Sequence, residues 1–486
     1  MTREFLLFLV VAFVTRLVVV VFCTTSGVGL MPDEAQYWTW SQHLDIGYYS
    51  KPPAIAWQIA LGTFLFGSTE FGVRFLAMML PVFTSLGIYG LVREITSDER
   101  ASWCAAIAFL LSPMGMSASI LATTDSGMVL CWVWALLFYV RHINDRSRFL
   151  YLGAMIALGA LWKWFMYSLW VPIILFELSY KKKDFLFLTV GFAISCLGLL
   201  PSYIWNLSHN FVTFRHVGGT LLNTHSTASH GNVGSFVLAG VALISPGFFI
   251  LGLYSCCNKE SLQKKVLQFV MACIWGGLTF ASCFRKVQGN WAIAGQVLIF
   301  VFIGLFIAKH LGKKSIYWSC CLVSVLVQAV VLATPYVGWN SWSPFAQGIG
   351  TDKIAVTLLE AGYNPKKDYL ISDRYQTVSD LSFYGPDQKH ACFLNIHGLR
   401  QNQFCFWPGL EDGGSGYFAT IVQRSERTHL KNHMKSLQKK LIPFFDHVGV
   451  PRIYWLTPWK AEACSGLIII QVKGYHQDAL DIKKIF

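Results

Sequence analysis

The sequence predicts an α-helical polytopic membrane protein with about eleven transmembrane helices, followed by a C-terminal soluble α/β domain. Three observations carry this. Hydrophobic residues make up 54% of the 486 residues and Asp, Glu, Lys and Arg only 13%, roughly half the charged fraction of a soluble domain. The apolar residues run in blocks of roughly 15 to 23, enough to cross a hydrocarbon core of about 30 Å at 1.5 Å per helical residue. Lys and Arg then collect in every second loop, as they do on the cytoplasmic side of a membrane protein. A transmembrane barrel is excluded, because segments such as FLLFLVVAFVTRLVVVVF (5–22) are apolar on every face instead of alternating.

Spans are expected near 5–23, 72–92, 101–120, 126–140, 149–162, 165–179, 185–205, 234–255, 266–283, 291–308 and 315–333. The first run, at 19 residues, is long for a signal segment and lacks a convincing cleavage site, so it reads as a retained helix. Arg3, Arg93 and Arg100, RHINDRSR (141–148), KKK (181–183), Lys259, Lys264 and Lys265, and KHLGKK (309–314) all fall on one side. That side is the cytoplasm, so the amino terminus is cytoplasmic. An odd number of spans delivers the tail to the opposite face, the periplasm or its equivalent. Residues 1–333 thus form the transmembrane domain and 334–486 the soluble one.

In the tail, DYLISD, HACFLNI, GYFATIVQ, PRIYWL and GLIIIQV read as short strands, and TDKIAVTLLEAG and HLKNHMKSLQKKL as helices. The net charge of +13 follows from topology, because no soluble stretch interleaves a basic patch with aromatics as a nucleic-acid partner requires. Most of the thirteen cysteines, including Cys104, Cys131, Cys196, Cys273, Cys320 and Cys321, lie in apolar segments, where Cys packs as a small hydrophobe. Cys392 and Cys405, in the tail, are equally compatible with a disulfide and with two free thiols.

The outward loops hold fewer and more isolated ionisable groups: Asp33, Glu34, Lys51, Arg74, Asp125, Lys163, His209, Arg215, His216, Arg285 and Lys286. Charge near membrane depth is costly, by about 2.5–3.5 kcal/mol on insertion scales, so such groups pair or serve a function. Asp33 and Glu34 follow the first span. A carboxylate there suits a general base acting on a polar acceptor, and a helix cap explains the pair equally well. Tyr37, Trp38, Trp40, Tyr48, Tyr49 and Trp57 suit a segment lying at headgroup depth. Lys51 stands before two prolines that fix its backbone, and a cation so held suits a phosphate. Arg74, Lys163, Arg285 and Lys286 can join it where negative charge develops on a leaving group; taken singly, Arg74 and Lys163 are better explained by snorkelling, but the set together is not. Asp125 opens a span, where the helix dipole favours an acid. His209 and His216 are not a specific metal signature.

These residues resemble, in order along nearly the whole chain, a family: the GT-C-fold glycosyltransferases of family 39, which include protein O-mannosyltransferases and the lipid A aminoarabinose transferase. The stretches are DEAQYWTWSQ, SKPPAIAW, EFGVRFLAMML, TTDSGM, ALWKWF, WNLSHNFVTFRH, KVQGNW and, in the tail, NQFCFWPGL. The resemblance implies a polyprenyl-phosphate sugar donor, a lipid or glycolipid acceptor on the outer side, and inversion at the anomeric carbon. It implies Asp33 at the reaction centre with Glu34 beside it, and Lys51, Arg74, Lys163 and Arg285 for the donor phosphate. Asp125, His209, His216, Asn290 and Trp291 take supporting places. No cofactor is required and a divalent metal stays open. Ser50 stands where aminoarabinose transferases tend to carry an acid, which departs from their metal and sugar pattern. The α/β tail departs from the soluble module of protein mannosyltransferases. A transporter or flippase of lipid-linked sugars, a lipid-to-glycan ligase and a protein O-mannosyltransferase are the rival readings. A transporter would show internal repeats and midplane polar residues, which are not found.

Overall fold

The computed structural model describes residues 3–180, 185–222, 231–257, 261–310, 314–337, 343–398, 400–423, 429–457 and 465–477. The basic stretch 181–183, Lys259 and residues 311–313 lie outside them. Contacts divide the chain into two compact units: Met1–Val20, Asp45–Gly62 and Arg74–Val330, and Val21–Leu44, Thr63–Val73 and Val331–Phe486.

In the first unit each of the eleven expected spans falls on helix. Six are long and apolar enough to cross a bilayer unbroken: Arg3–Thr25, Glu70–Thr96, Phe185–Ser208, Leu262–Ser282, Gly289–Lys309 and Lys314–Ala333. Two more are bent pairs, Glu99–Leu110 with Pro113–Ile120 at 58° and Val233–Ile244 with Pro246–Cys256 at 97°. Proline marks both breaks, since it cannot donate its missing N–H to the preceding turn. At the first break the Ser112 side chain accepts from Gly115 N at 3.1 Å and caps the second half. At the second, Ser245 turns the chain at φ 81°. The remaining expected spans lie on Thr124–Arg141, Arg148–Ala160 and Trp164–Ser179.

Leu298–Ile307 of the helix Gly289–Lys309 is buried on all sides, so this helix forms the unit's axis. Helices Arg148–Ala160 and Phe185–Cys196 approach so closely that a Cβ on Gly153 would lie 2.1 Å from Gly191 O, and one on Gly191 2.3 Å from Phe149 O. Small residues make such contact between membrane helices feasible. Arg148 and Glu177, nearly fully buried, form a two-pronged pair at 3.0 and 3.1 Å, and Tyr139 donates to the same carboxylate. Burying this pair is tolerable because both partners are satisfied.

The second unit is built on a six-stranded sheet: β1 Tyr369–Ser372, β2 Cys392–Phe393, β3 Gly416–Gln423, β4 Phe445–Val448, β5 Arg452–Trp455 and β6 Ser465–Tyr475. The path is β2-β1-β3-β6-β4, with β1 parallel to β2 and β3, and β3 antiparallel to β6. β4 and β5 both pair with β6, Val448 opposite Val472 and Arg452 opposite Ile469. Between these pairs three residues, 449–451, face two, 470 and 471, a bulge that holds Pro451. All five expected strands and both expected helices are present, as Ile354–Glu360 and Leu430–Leu441 for the latter. The strand β4 and the helix Tyr375–Tyr384 were not foreseen. Cys392 and Cys405 are free thiols.

The second unit also claims the helix Pro32–Gln42 from the first long loop, which packs on Tyr375–Tyr384. Trp38 meets Phe383 edge-on at 4.9 Å, Val28 bridges to Ile349, and Gly29 N donates to Gly348 O at 3.1 Å. A Cβ on Gly29 would lie 2.2 Å from Thr351 Oγ1 and 2.6 Å from the Tyr384 hydroxyl, so this crossing requires glycine. The loop's aromatics, expected at headgroup depth, mostly face protein. Tyr37, Trp38, Trp40, Tyr48 and Tyr49 are buried in protein, and Trp57 alone of the six is exposed.

Candidate active site

The helix Pro32–Gln42 starts with proline in its first turn, where no intrahelical N–H is lost. Glu34 is fully buried and its Oε2 accepts from Met31 N at 3.0 Å. This is the capping role. Asp33, its neighbour, is exposed. The capping reading left open by sequence thus falls to Glu34. Within the same unit, Tyr375 is held above its ordinary pKa by burial first and by the charge of Asp33 second, and the Arg400 side chain hydrogen-bonds it.

In the first unit the loop after Asp45 and the segment WNLSHNFVTFRH form one assembly. Trp205 Nε1 donates to Asp45 Oδ2 at 2.8 Å, Trp57 Nε1 to Asp45 O at 3.0 Å, and Thr213 Oγ1 to Tyr48 O at 3.3 Å. The His209 ring stacks on Trp205 at 3.7 Å and 6°, with Nδ1 2.8 Å from Trp205 O. His216 lies 4.9 Å from the Tyr49 ring. Both histidines brace this loop. Among the described residues no three His, Cys, Asp or Glu side chains are grouped to hold a metal ion. Asp45 was missed by sequence reasoning; the signal was an acid amid buried aromatics, visible only once Trp205 comes to meet it.

Asp125, Lys163 and Asn290, far apart in sequence, come together. Lys163 Nζ lies 2.6 Å from Asp125 Oδ1, and Asn290 Nδ2 donates to Oδ2 at 3.0 Å. Both charged side chains are 15% exposed. Asp125 sits in the first turn of its helix, where the dipole favours it. Two contacts fasten the Lys163 turn to the SKPP loop: Ala54 N to Leu161 O at 2.9 Å and Trp162 Nε1 to Gln58 Oε1 at 3.0 Å. Lys163 is therefore committed to a carboxylate. Arg74 is fully buried, not snorkelling at a surface, and Lys51, Arg285 and Trp291 are half-buried. Trp291 packs against the unit's core. A cavity of about 390 Å³ with apolar walls is lined by Cys196, Leu199, Leu200, Tyr203, Phe211 and Phe214.

In the second unit, His43 at the end of the helix Pro32–Gln42 faces His390 at 5.3 Å and Trp407 at 4.6 Å. Burial, and then the charge of His43, push His390 down to about 4. His43 is lowered too, by burial.

Structural comparison decides the fold. A crystal structure of ArnT from Cupriavidus metallidurans in the apo state superposes with a TM-score of 0.62 over 95% of this chain and 97% of that one, at 15% identity. The fold is that of the GT-C glycosyltransferases. ArnT bound to undecaprenyl phosphate gives the same score over 96% and 98%. AftD, an arabinofuranosyltransferase from Mycobacteria, shares it at a TM-score of 0.51 over 98% of this chain and 40% of its own. Like ArnT, this GT-C chain is a multi-pass membrane protein. Residues 50–205 match the family described as dolichyl-phosphate-mannose-protein mannosyltransferase. A lipid A galacturonosyltransferase, RgtD, of Rhizobium johnstonii is 28% identical over 54% of this chain and 58% of its own. An undecaprenyl phosphate-α-4-amino-4-deoxy-L-arabinose arabinosyl transferase of Pseudomonas savastanoi pv. phaseolicola is 34% identical over 16% and 17%. The matches thus span 58% and 17% of these curated relatives.

Proposed function

We propose that the chain is an inverting glycosyltransferase that moves a sugar from a polyprenyl-phosphate donor to an envelope glycolipid, lipid A or lipopolysaccharide, at the outer face of a bacterial inner membrane. The observation that carries this reading is the exposed carboxylate of Asp33 in the first turn of the helix that its buried neighbour Glu34 caps. The reaction class comes from the relatives, which are named as lipid A galacturonosyltransferase and as undecaprenyl-phosphate-aminoarabinose transferases, and from the undecaprenyl phosphate held by ArnT.

In this reading an acceptor oxygen attacks the anomeric carbon, the bond from that carbon to the phosphate oxygen breaks, and polyprenyl phosphate leaves with the bonding pair. Where the acceptor is a hydroxyl, Asp33 takes its proton; where it is a phosphate, the carboxylate steadies positive charge on the sugar. Lys51, Arg74 and Arg285 are assigned the donor phosphate by their charge. Asp125 and Asn290 position Lys163, while His209 and His216 brace the SKPP loop. Trp291 supports the core beside them. No organic cofactor enters this scheme, and its dependence on a divalent metal is set by adding a chelator to the same assay.

The test is transfer of labelled sugar from polyprenyl-phosphate sugars in membranes. Asp33→Asn is expected to lose about 10²–10⁴-fold in rate, the worth of a positioned proton acceptor, with its unfolding temperature unchanged. Glu34→Ala is expected to lose the cap, about 1 kcal/mol of stability, with rate following folded protein. Wild-type transfer by the Asp33 variant removes this mechanism. The matched family description keeps a protein acceptor as the second reading. Mass spectrometry of lipid A and of outer proteins from cells with and without the gene separates the two.

A further inference from the structure

We propose that the soluble unit carries a separate subsite for the anionic headgroup of the acceptor, formed at the carboxyl ends of β1 and β2 by Arg374, His397, Arg400 and Lys440. This rests on the transferase reading above. β1 and β2 run parallel, so the residues that follow them emerge on the same edge of the sheet, where open sheets with parallel strands gather their ligands. Asp373 and Arg374 follow β1, and His397 and Arg400 follow β2.

A fixed chain of contacts orders this edge. Asp373 is buried, and its Oδ2 lies 2.7 Å from His397 Nε2. With Nε2 donating to the carboxylate, Nδ1 is left as an acceptor, and it lies 2.6 Å from Lys440 Nζ. The lysine comes from the helix Leu430–Leu441. Only one of its three N–H groups is used by this bond. Burial raises the Asp373 carboxyl, but the hydrogen bond from His397, with the charge of Arg374, outweighs it and holds the group below its ordinary value. Asp373 is therefore held as the carboxylate.

The charges then do not cancel. Asp373 and, beside Tyr375, Asp33 face Arg374, Arg400 and Lys440, leaving one positive charge in excess. The hydrogen-bonded brace between strand and helix is made by Asp373, His397 and Lys440; the two arginines, both exposed, add charge beside it, Arg374 at Asp373 and Arg400 at Tyr375. Guanidinium groups with an ammonium suit a phosphate monoester, which accepts several charge-assisted hydrogen bonds at once. The edge also adjoins the candidate base. Tyr375 opens the helix that follows Arg374, Arg400 hydrogen-bonds its side chain, and the charge of Asp33 acts on its hydroxyl. An acceptor phosphate held here brings the adjoining sugar toward Asp33.

The experiment measures binding to the full chain in lipid nanodiscs, with no turnover. The probes are phosphorylated lipid A, the same lipid after phosphatase treatment, inorganic phosphate, and undecaprenyl phosphate. The wild type is expected to prefer the phosphorylated lipid about 10-fold or more, and Arg400→Ala and Lys440→Ala each to reduce that preference about 10-fold. Lys440→Arg should retain it, and undecaprenyl phosphate should bind all variants equally. Equal binding of the two lipids by the wild type overturns the subsite. So does inorganic phosphate binding as tightly as the phosphorylated lipid, which marks a site for a free anion. Equal loss of undecaprenyl phosphate in the variants overturns it too, by assigning these residues to the donor. A chain that shows the preference and transfers no sugar keeps the subsite and refutes the transferase; one that transfers without the preference does the reverse.

Discussion

Asp125 is the residue whose surroundings say most about how this membrane unit tolerates charge. Its two oxygens are taken by Lys163 and Asn290, and both charged side chains are largely buried. Removing one member strands the other away from water, whereas removing both leaves a smaller defect. Asp125→Asn or Lys163→Met alone is expected to cost about 3 kcal/mol, and the double variant clearly less than the sum. Thermal unfolding in detergent checks it, and strict additivity would show that the pair is not coupled. The three residues were legible in sequence as isolated outward polar groups, each at a short motif. Their union was not, because Asp125 and Asn290 are 165 positions apart and no local periodicity links them. The same holds for Asp33 and Glu34. Spacing named both acids, but only the burial of Glu34 under the soluble unit separates cap from candidate base.

At the scale of elements, apolar length was a good guide where helices run straight and a poor one where they break. Composition averages over a break, so Pro113 and Pro246 sat unremarked inside single expected spans. In the tail the strands were legible from short β-branched runs. The helix Tyr375–Tyr384 was not, because its polar residues are buried against the helix Pro32–Gln42 and hide the usual amphipathic stripe. That packing carries a pH dependence. His390 lies among His43, Phe404 and Trp407 and titrates near 4, whereas an exposed histidine titrates near 6.5. Between pH 6.5 and about 4 the unfolded chain therefore binds a proton that the folded one excludes, and stability falls as pH drops through this window. Above pH 6.5 the effect is absent. The loss by pH 4.5 is expected to be on the order of 2 kcal/mol. Hydrogen exchange at 32–43 and 403–407 between pH 7 and 4.5 should show it, and His390→Phe should flatten the profile. A wild-type profile already flat would place the histidine in water.

For the whole molecule, charge sorting and helix count make one joint claim about sidedness. All eleven expected segments fall on helix, six of them long and apolar enough to cross unbroken; if all eleven cross, the odd number sends the two ends of the chain to opposite faces. The excess of Lys and Arg on alternate loops leads to the expectation that those loops face the cytoplasm. Had a bent pair or one of the three shorter helices turned back without crossing, the count would be even and the tail would lie with the amino terminus. The bend of 97° at Ser245–Pro246 makes this a real alternative, since a re-entrant segment can enter and leave by the same face when protein surrounds it. Single cysteines decide it. Val450, 76% exposed in the sheet unit, and Asn144, in an exposed loop of the first unit, are replaced by Cys in a chain otherwise free of cysteine, because Cys257, Cys283 and Cys405 are exposed and would react. In intact spheroplasts a membrane-impermeant maleimide is expected to label Val450→Cys and to reach Asn144→Cys only after the membrane is opened. Labelling of both from outside, or of neither, would put an even number of crossings between these two positions. The tail, with Asp33 and the acceptor edge that share its unit, would then face the same side as the basic loops.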